Sequence, residues 1–266
     1  MIGRLEVNGT ELAYREEGEG PLAIFVHGFP FDHTMWLDQV VALGEQRRCV
    51  AVDLRGFGAS AALTEDILSM EVLAADLAAL IGGLGAKRAD VVALSMGGYA
   101  ALALWELYPE VVRSLALVDT RPEADTPEGK QRRDEMARHT LERGREWLAD
   151  TLTEAILAPG ASLSARARLR SMTEGTRYET IVAALAGMRE RPDRRFLLHS
   201  ISVPTLVVVG EQDRLTPLES ARAMSEEIPG SRLVVIPEAG HLTPVERPAD
   251  VSEALADFLP RGGSAQ

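Results

Sequence analysis

Short, mostly apolar runs alternate with helix-patterned segments along most of this chain, and that alternation restricts the fold more than any other feature. The runs lie at residues 22–26, 49–52, 89–94, 114–118, 203–210 and 232–236. A strand that is apolar at nearly every position must be covered on both faces, as happens in parallel sheets flanked by helices. Residues 70–84 supply one such helix, with apolar side chains at 70, 73, 77, 80, 81 and 84 spaced to share a face. Further helices are expected over about 35–43, 95–108, 218–228 and 248–259, the second of them stopped by Pro109. Residues 5–7 and 12–15 flank Asn8-Gly9, a hairpin signal that adds two strands. The expected architecture is an α/β fold whose mostly parallel, eight-stranded sheet carries helices on both faces.

The rhythm breaks at Thr120. From 121 to about 200 the chain is rich in Arg, Glu, Ala and Leu and shows helical segments only. The expected domain organisation is a split core, residues 1–120 and 201–266, with a helical cap of residues 121–200 inserted between the halves. A length of 266 residues suits one core with a sizeable insertion. The tail Arg261-Gly262-Gly263-Ser264-Ala265-Gln266 is expected to fray.

Charge narrows the partners. A net charge of −12 opposes binding to phosphate backbones and anionic lipids. The densest basic groups, Arg132, Arg133 and Arg138, and Arg166, Arg168 and Arg170, are interleaved with other residues as on solvated helix faces. The single cysteine, Cys49, permits no intramolecular disulfide or cysteine metal site and sits as a buried strand residue. The first residues carry no signal-peptide pattern, and no apolar run reaches the roughly 18 residues a membrane span needs. The expectation is a cytoplasmic protein with no nucleic-acid or membrane partner. Homo-oligomerisation is compatible with the sequence.

The chemistry is carried by Ala93-Leu94-Ser95-Met96-Gly97-Gly98, where a strand becomes a helix. A serine at such a sharp turn projects its hydroxyl above the sheet, provided small residues stand two before and two after it. Ala93 and Gly97 fill those places, with Ala93 standing where glycine is usual. A serine hydroxyl needs a base to take its proton and a carboxylate to orient that base. His241, in Ala239-Gly240-His241-Leu242 after the last strand, is the expected base. Asp213, in Gly210-Glu211-Gln212-Asp213 after the preceding strand, is the favoured acid, and Asp119 its rival. The oxyanion of an acyl-transfer reaction would be met by two backbone N–H groups, those of Met96 and Phe29. Gly28 lets the Phe29 backbone approach, and Pro30 has no N–H to offer. His27 is expected to brace this loop, and His33 to have a packing or surface role. Asp53-Leu54-Arg55-Gly56-Phe57-Gly58 lacks a phosphate-loop lysine and glycine spacing, so it reads as a structural loop beside the site.

Taken together, His27-Gly28-Phe29-Pro30, Asp53-Leu54-Arg55-Gly56-Phe57-Gly58, Leu94-Ser95-Met96-Gly97-Gly98-Tyr99, Gly210-Glu211-Gln212-Asp213 and Gly240-His241 resemble the α/β-hydrolase superfamily. Within it the chain is most similar to bacterial carboxylesterases with a helical cap, a likeness that extends to Asp119-Thr120-Arg121-Pro122-Glu123-Ala124-Asp125-Thr126-Pro127-Glu128. The resemblance implies hydrolysis of small carboxylic esters through an acyl-enzyme on Ser95, with no cofactor and no metal. The related 3-oxoadipate enol-lactonases share these motifs and are the alternative. Ser95 stands where haloalkane dehalogenases and epoxide hydrolases carry an aspartate nucleophile. Cap residues Trp147, Leu148, Leu152, Ile156, Leu157, Ile181 and Leu185 either line an uncharged pocket or, for the most part, hold the cap together. A lactone with a free carboxylate would need an inward arginine, for which Arg121, Arg132 and Arg138 are candidates. A non-catalytic small-molecule receptor on the same fold is a third reading, separated from an enzyme by turnover.

Overall fold

Two short strands open the chain, and the turn between them needs a backbone few residues tolerate. Asn8 and Gly9 take φ 46° and 74°. These left-handed values suit asparagine and glycine and let β1 (Ile2–Val7) fold back antiparallel on β2 (Thr10–Glu17). The structure is a computed structural model and describes residues 2–259. The tail expected to fray lies outside the described residues.

Six further strands follow: β3 (Leu22–Val26), β4 (Arg48–Val52), β5 (Ala89–Leu94), β6 (Val112–Val118), β7 (Thr205–Gly210) and β8 (Arg232–Ile236). They join one eight-stranded sheet in the order β1-β2-β4-β3-β5-β6-β7-β8. Pairing is antiparallel from β1 through β4 by way of β2, and parallel elsewhere. β3, β5 and β7 are buried at every position, which is the physical reason that they read as nearly continuous apolar runs. Each fully buried valine or leucine contributes roughly 1.5–3 kcal/mol of transfer free energy.

Helices α1 (Leu37–Leu43), α2 (Met70–Gly83), α3 (Met96–Leu107), α8 (Leu218–Glu227) and α10 (Pro248–Phe258) surround the sheet. α2 packs on α3, and α1 on α10. Gln39 of α1 is buried, and its Nε2 donates to the carbonyls of Pro244 and Pro248 at 3.1 and 3.2 Å. The helix expected from residue 35 is preceded by a 3-10 turn, His33–Trp36, which Asp32 caps through the Thr34 amide. Strand β7 begins at Thr205, two residues later than the apolar run. Pro204 has no N–H for the ladder, although its carbonyl accepts the Leu115 amide at 3.0 Å.

Four helices stand between β6 and β7: α4 (Pro127–Arg143), α5 (Arg145–Ile156), α6 (Leu163–Gly175) and α7 (Tyr178–Glu190). Ser162 and Thr126 cap two of them by accepting amides of the first turn. A 3-10 turn, Arg195–Ser200, leads back to the sheet, and no strand interrupts the segment. Leu148, Leu152, Ile156, Leu157, Ile181 and Leu185 are buried in the hydrophobic core. Trp147 is half-buried, edge-on to His139 at 5.2 Å.

The helical segment is tied to loops at the carboxyl ends of the strands. Thr176 Oγ1 donates to the Pro30 carbonyl at 2.7 Å, and Arg177 and Thr180 both donate to the Gly56 carbonyl at 2.9 Å. Arg168 reaches Asp38 and the Thr34 carbonyl, each at 2.5 Å. This corrects the expectation of a purely solvated face: the long side chain finds fixed acceptors across the junction. Arg133 departs from that expectation too, since it turns to the buried Asp125. Among the described residues no helix is long and apolar enough to cross a membrane.

Candidate active site

Ser95 stands between β5 and α3 with φ 54° and ψ −113°, a strained conformation for a residue with a Cβ, of the kind that costs on the order of 1–3 kcal/mol. The turn closes only because its neighbours are small. A Cβ on Gly97 would lie 2.7 Å from the carbonyl oxygens of Val26 and His27, and one on Gly28 would lie 3.2 Å from Ser95 Cβ. The turn is held from beneath by the Ser95 amide on the Val118 carbonyl at 3.0 Å and by Thr120 Oγ1, which donates to the Ser95 carbonyl at 2.8 Å.

The hydroxyl of Ser95 lies 2.8 Å from His241 Nε2, and His241 Nδ1 lies 2.7 Å from Asp213 Oδ2. All three residues are buried. Asp213 Oδ1 accepts the amides of Leu215 and Thr216 at 2.8 and 2.9 Å, and Oδ2 accepts the Thr216 hydroxyl at 2.5 Å. Burial would raise the Asp213 pKa, but the charge of His241 and these hydrogen bonds outweigh it and hold the carboxyl below its usual range. Burial likewise pulls His241 down. The Asp213 charge and hydrogen bond, with the charges of Asp119 and Glu246, outweigh that and raise it. A proton on Nδ1 donated to Asp213 leaves Nε2 free to accept from Ser95.

Asp119 also sits at a strand end, with φ 45°, but it faces elsewhere. Its Oδ1 accepts the Gly210 amide at 2.9 Å, and its Oδ2 accepts the Thr243 amide and hydroxyl at 3.2 and 2.6 Å. Burial, reinforced by the Asp213 charge, raises its pKa well above the ordinary value. Of the two acids, Asp213 is the one within hydrogen-bond distance of the imidazole.

The loop after β3 packs against the same turn. His27 Nε2 accepts the Leu54 amide at 3.0 Å, and Nδ1 donates to the Gly28 carbonyl at 2.8 Å. Burial lowers the His27 pKa, consistent with the neutral ring that this pattern requires. Among the described residues no acceptor takes the amide hydrogen of Phe29 or Met96. The Met96 amide opens a helix, where backbone N–H groups favour negative charge.

His33 does more than fill space, because the loop carrying Asp53 returns beside it. The His33 amide and Nδ1 both donate to Asp53 Oδ1, at 2.7 and 2.8 Å. Burial lowers the His33 pKa, and Asp53 more than reverses the shift. Asp32, His33 and Asp53 bring ligand-type atoms within 4.8 Å of one another. These atoms are engaged in bracing: Asp32 caps Thr34, and Asp53 also accepts the Ala59 amide at 2.9 Å. Cys49 is buried, and desolvation pushes its thiol up to about 12, so it presents no thiolate at neutral pH.

Three arginines, Arg121, Arg133 and Arg191, converge on one carboxylate. Asp125 accepts from Arg121 at 3.1 Å, from Arg191 at 2.9 Å, and from Arg133. Burial would raise the Asp125 pKa, yet the guanidinium hydrogen bonds and charges lower it to about 2. Arg138 pairs with Glu142 at 3.0 Å, and Arg132 is exposed.

A model of the "Alpha/beta hydrolase family" matches residues 23–254. A thermophilic esterase from Thermogutta terrifontis has 36% identity and a TM-score of 0.93, covering 97% of this chain and 98% of that one. The enol-lactonase of Burkholderia xenovorans LB400 has 28% identity and a TM-score of 0.88, covering 97% of this chain and 99% of that one. The 3-oxoadipate enol-lactonase 1 of Acinetobacter baylyi is 27% identical over 232 residues, which is 84% of this chain and 80% of that protein. The chain spans 20%, 60% and 28% of the length of three other curated relatives that it matches.

Proposed function

Because the chain belongs to the alpha/beta hydrolase family, we propose that it is a serine carboxylesterase that cleaves small, uncharged carboxylic esters. One observation carries the reading: the continuous hydrogen-bonded series from Ser95 Oγ through the His241 ring to Asp213.

In this reading His241 Nε2 takes the Ser95 proton as the oxygen attacks the ester carbonyl. Asp213 keeps the ring in the tautomer that accepts at Nε2, and its charge favours the imidazolium that forms. The Phe29 and Met96 amides meet the oxyanion, each worth about 3 kcal/mol of barrier. The imidazolium returns its proton to the departing alcohol. Water, deprotonated by the same ring, then releases the acid and restores Ser95.

The helices of residues 121–200 act as a cap, held over the strand ends by Thr176, Arg177 and Thr180. Arg121 and Arg133 already pair with Asp125, which supports a neutral ester over a carboxylated lactone.

Steady-state hydrolysis of p-nitrophenyl acetate, butyrate and octanoate by the wild type and Ser95→Ala tests the proposal. Turnover that favours the shorter chains and disappears in the variant is the expected result. Turnover of 3-oxoadipate enol-lactone without turnover of the esters would replace the esterase reading with a lactonase one. Binding of either without product release would indicate a receptor.

A further inference from the structure

We propose that Glu246 is the positioning residue of the His241 imidazole and its link to the helical segment between β6 and β7. The inference rests on the reading of Ser95 and His241 given above.

His241 sits in an irregular loop between β8 and the short helix α9 (Thr243–Glu246). A loop of this kind has no ladder to fix it, so side chains and neighbours must take its amides. Glu246 Oε1 accepts the amides on either side of the histidine, Gly240 at 3.1 Å and Leu242 at 3.2 Å. Its other oxygen, Oε2, accepts the Ala158 amide at 2.8 Å from the chain just beyond α5. The amide of His241 itself donates to the Ile156 carbonyl at 2.7 Å, at the end of α5, where carbonyls lack helical partners. The two backbones are in direct contact: a Cβ on Gly240 would fall 2.6 Å from the Ala158 nitrogen. One carboxylate therefore holds three amides and touches none of the reacting atoms.

A carboxylate is required for this pattern. Glutamine offers one acceptor, and with that oxygen on Gly240 and Leu242 its amide hydrogens would face the Ala158 N–H. The charge matters as well, because Glu246 joins Asp213 and Asp119 in favouring the protonated ring. Any shift of residues 156–158 as substrate enters is passed through these bonds to the imidazole.

The test compares the wild type, Glu246→Gln and Glu246→Asp on p-nitrophenyl butyrate. Glu246→Gln is expected to lower kcat about tenfold to hundredfold, the effect of a misplaced catalytic group, and to leave KM within about twofold. The midpoint of its acid limb moves to lower pH. Glu246→Asp restores the charge at a shorter reach, so it recovers the midpoint without recovering kcat. Titration of the His241 C2–H resonance by NMR reads the same midpoint without substrate.

Unchanged kcat and midpoint in Glu246→Gln would overturn the proposal. So would a fall in kcat with an unmoved midpoint. A wild type inactive on every ester defeats the functional reading instead, and the NMR midpoints still decide this one. If Glu246→Gln does not fold, Ala158→Pro breaks the bond on the helical side, its ring carbon standing where the amide hydrogen met Glu246 Oε2. Leu157 before it is already extended, with φ −79° and ψ 149°, as a following proline prefers. Wild-type kcat in Ala158→Pro would overturn the link.

Discussion

Replacing Asp213 with asparagine tests whether the carboxylate works by selecting a tautomer. Its two oxygens have different duties. Oδ1 receives two backbone amides, from Leu215 and Thr216, and neither can become an acceptor. An asparagine must keep its carbonyl oxygen there, so its NH2 group takes the place of Oδ2, 2.7 Å from His241 Nδ1. That group donates, which forces Nδ1 to accept and moves the ring proton to Nε2, where it faces Ser95. The base is then unable to take a proton. Wrong-tautomer substitutions in Ser-His-Asp hydrolases lower kcat by roughly 10,000-fold, or about 5 kcal/mol of barrier. Little change in KM is expected, because Asp213 is placed to touch the base and not the ester. The assay is steady-state hydrolysis of p-nitrophenyl butyrate, with folding checked by circular dichroism. A folded Asp213→Asn variant that keeps a tenth or more of wild-type kcat would refute the argument. Loss of activity in Asp119→Asn alone would shift the acid role to Asp119.

Two further predictions follow from the charges. In the pH profile of kcat/KM for a neutral ester, activity falls as pH drops and His241 protonates, with a midpoint above the ordinary histidine value of 6.5. A midpoint below that value would show burial outweighing the three carboxylates. Asp125→Ala leaves the buried Arg191 guanidinium without its carboxylate and is expected to cost about 3–5 kcal/mol in urea unfolding at pH 7. Because the native Asp125 pKa is lowered to about 2, its stabilisation is complete above the unfolded carboxylate range and is lost as pH falls through the native value. Equal urea midpoints for variant and wild type at pH 7 would refute that role.

The central strands were legible because burial on both faces writes itself as nearly continuous apolar sequence. β3 and β5 span the residues that the apolar runs indicated. The outer strands were less legible. β2 continues to Glu17 because its register pairs Glu16 and Glu17 with Val50 and Cys49, an exchange of backbone bonds that asks nothing of side-chain polarity. α9 escaped notice because four residues are too few to show a helical period. In the site, Ser95, His241 and Asp213 stood out because each follows a recognisable strand. Glu246 did not, since a residue that acts through backbone amides leaves no pattern among its neighbours. Asp125 was equally silent, its partners lying 4, 8 and 66 positions away at Arg121, Arg133 and Arg191.

The contact between Ser95 and His241 spans 146 positions, and the Gln39 bonds to Pro244 and Pro248 span 205 and 209. Closing loops of that length costs conformational entropy before the contacts can form. Such separations also set an order of events during synthesis. A nascent chain acquires the serine early and the carboxylate late, and receives its imidazole only when the segment after β8 has emerged. On the proposed mechanism, hydrolytic activity would report the docking of β8, being absent from every intermediate in which His241 has yet to reach Ser95.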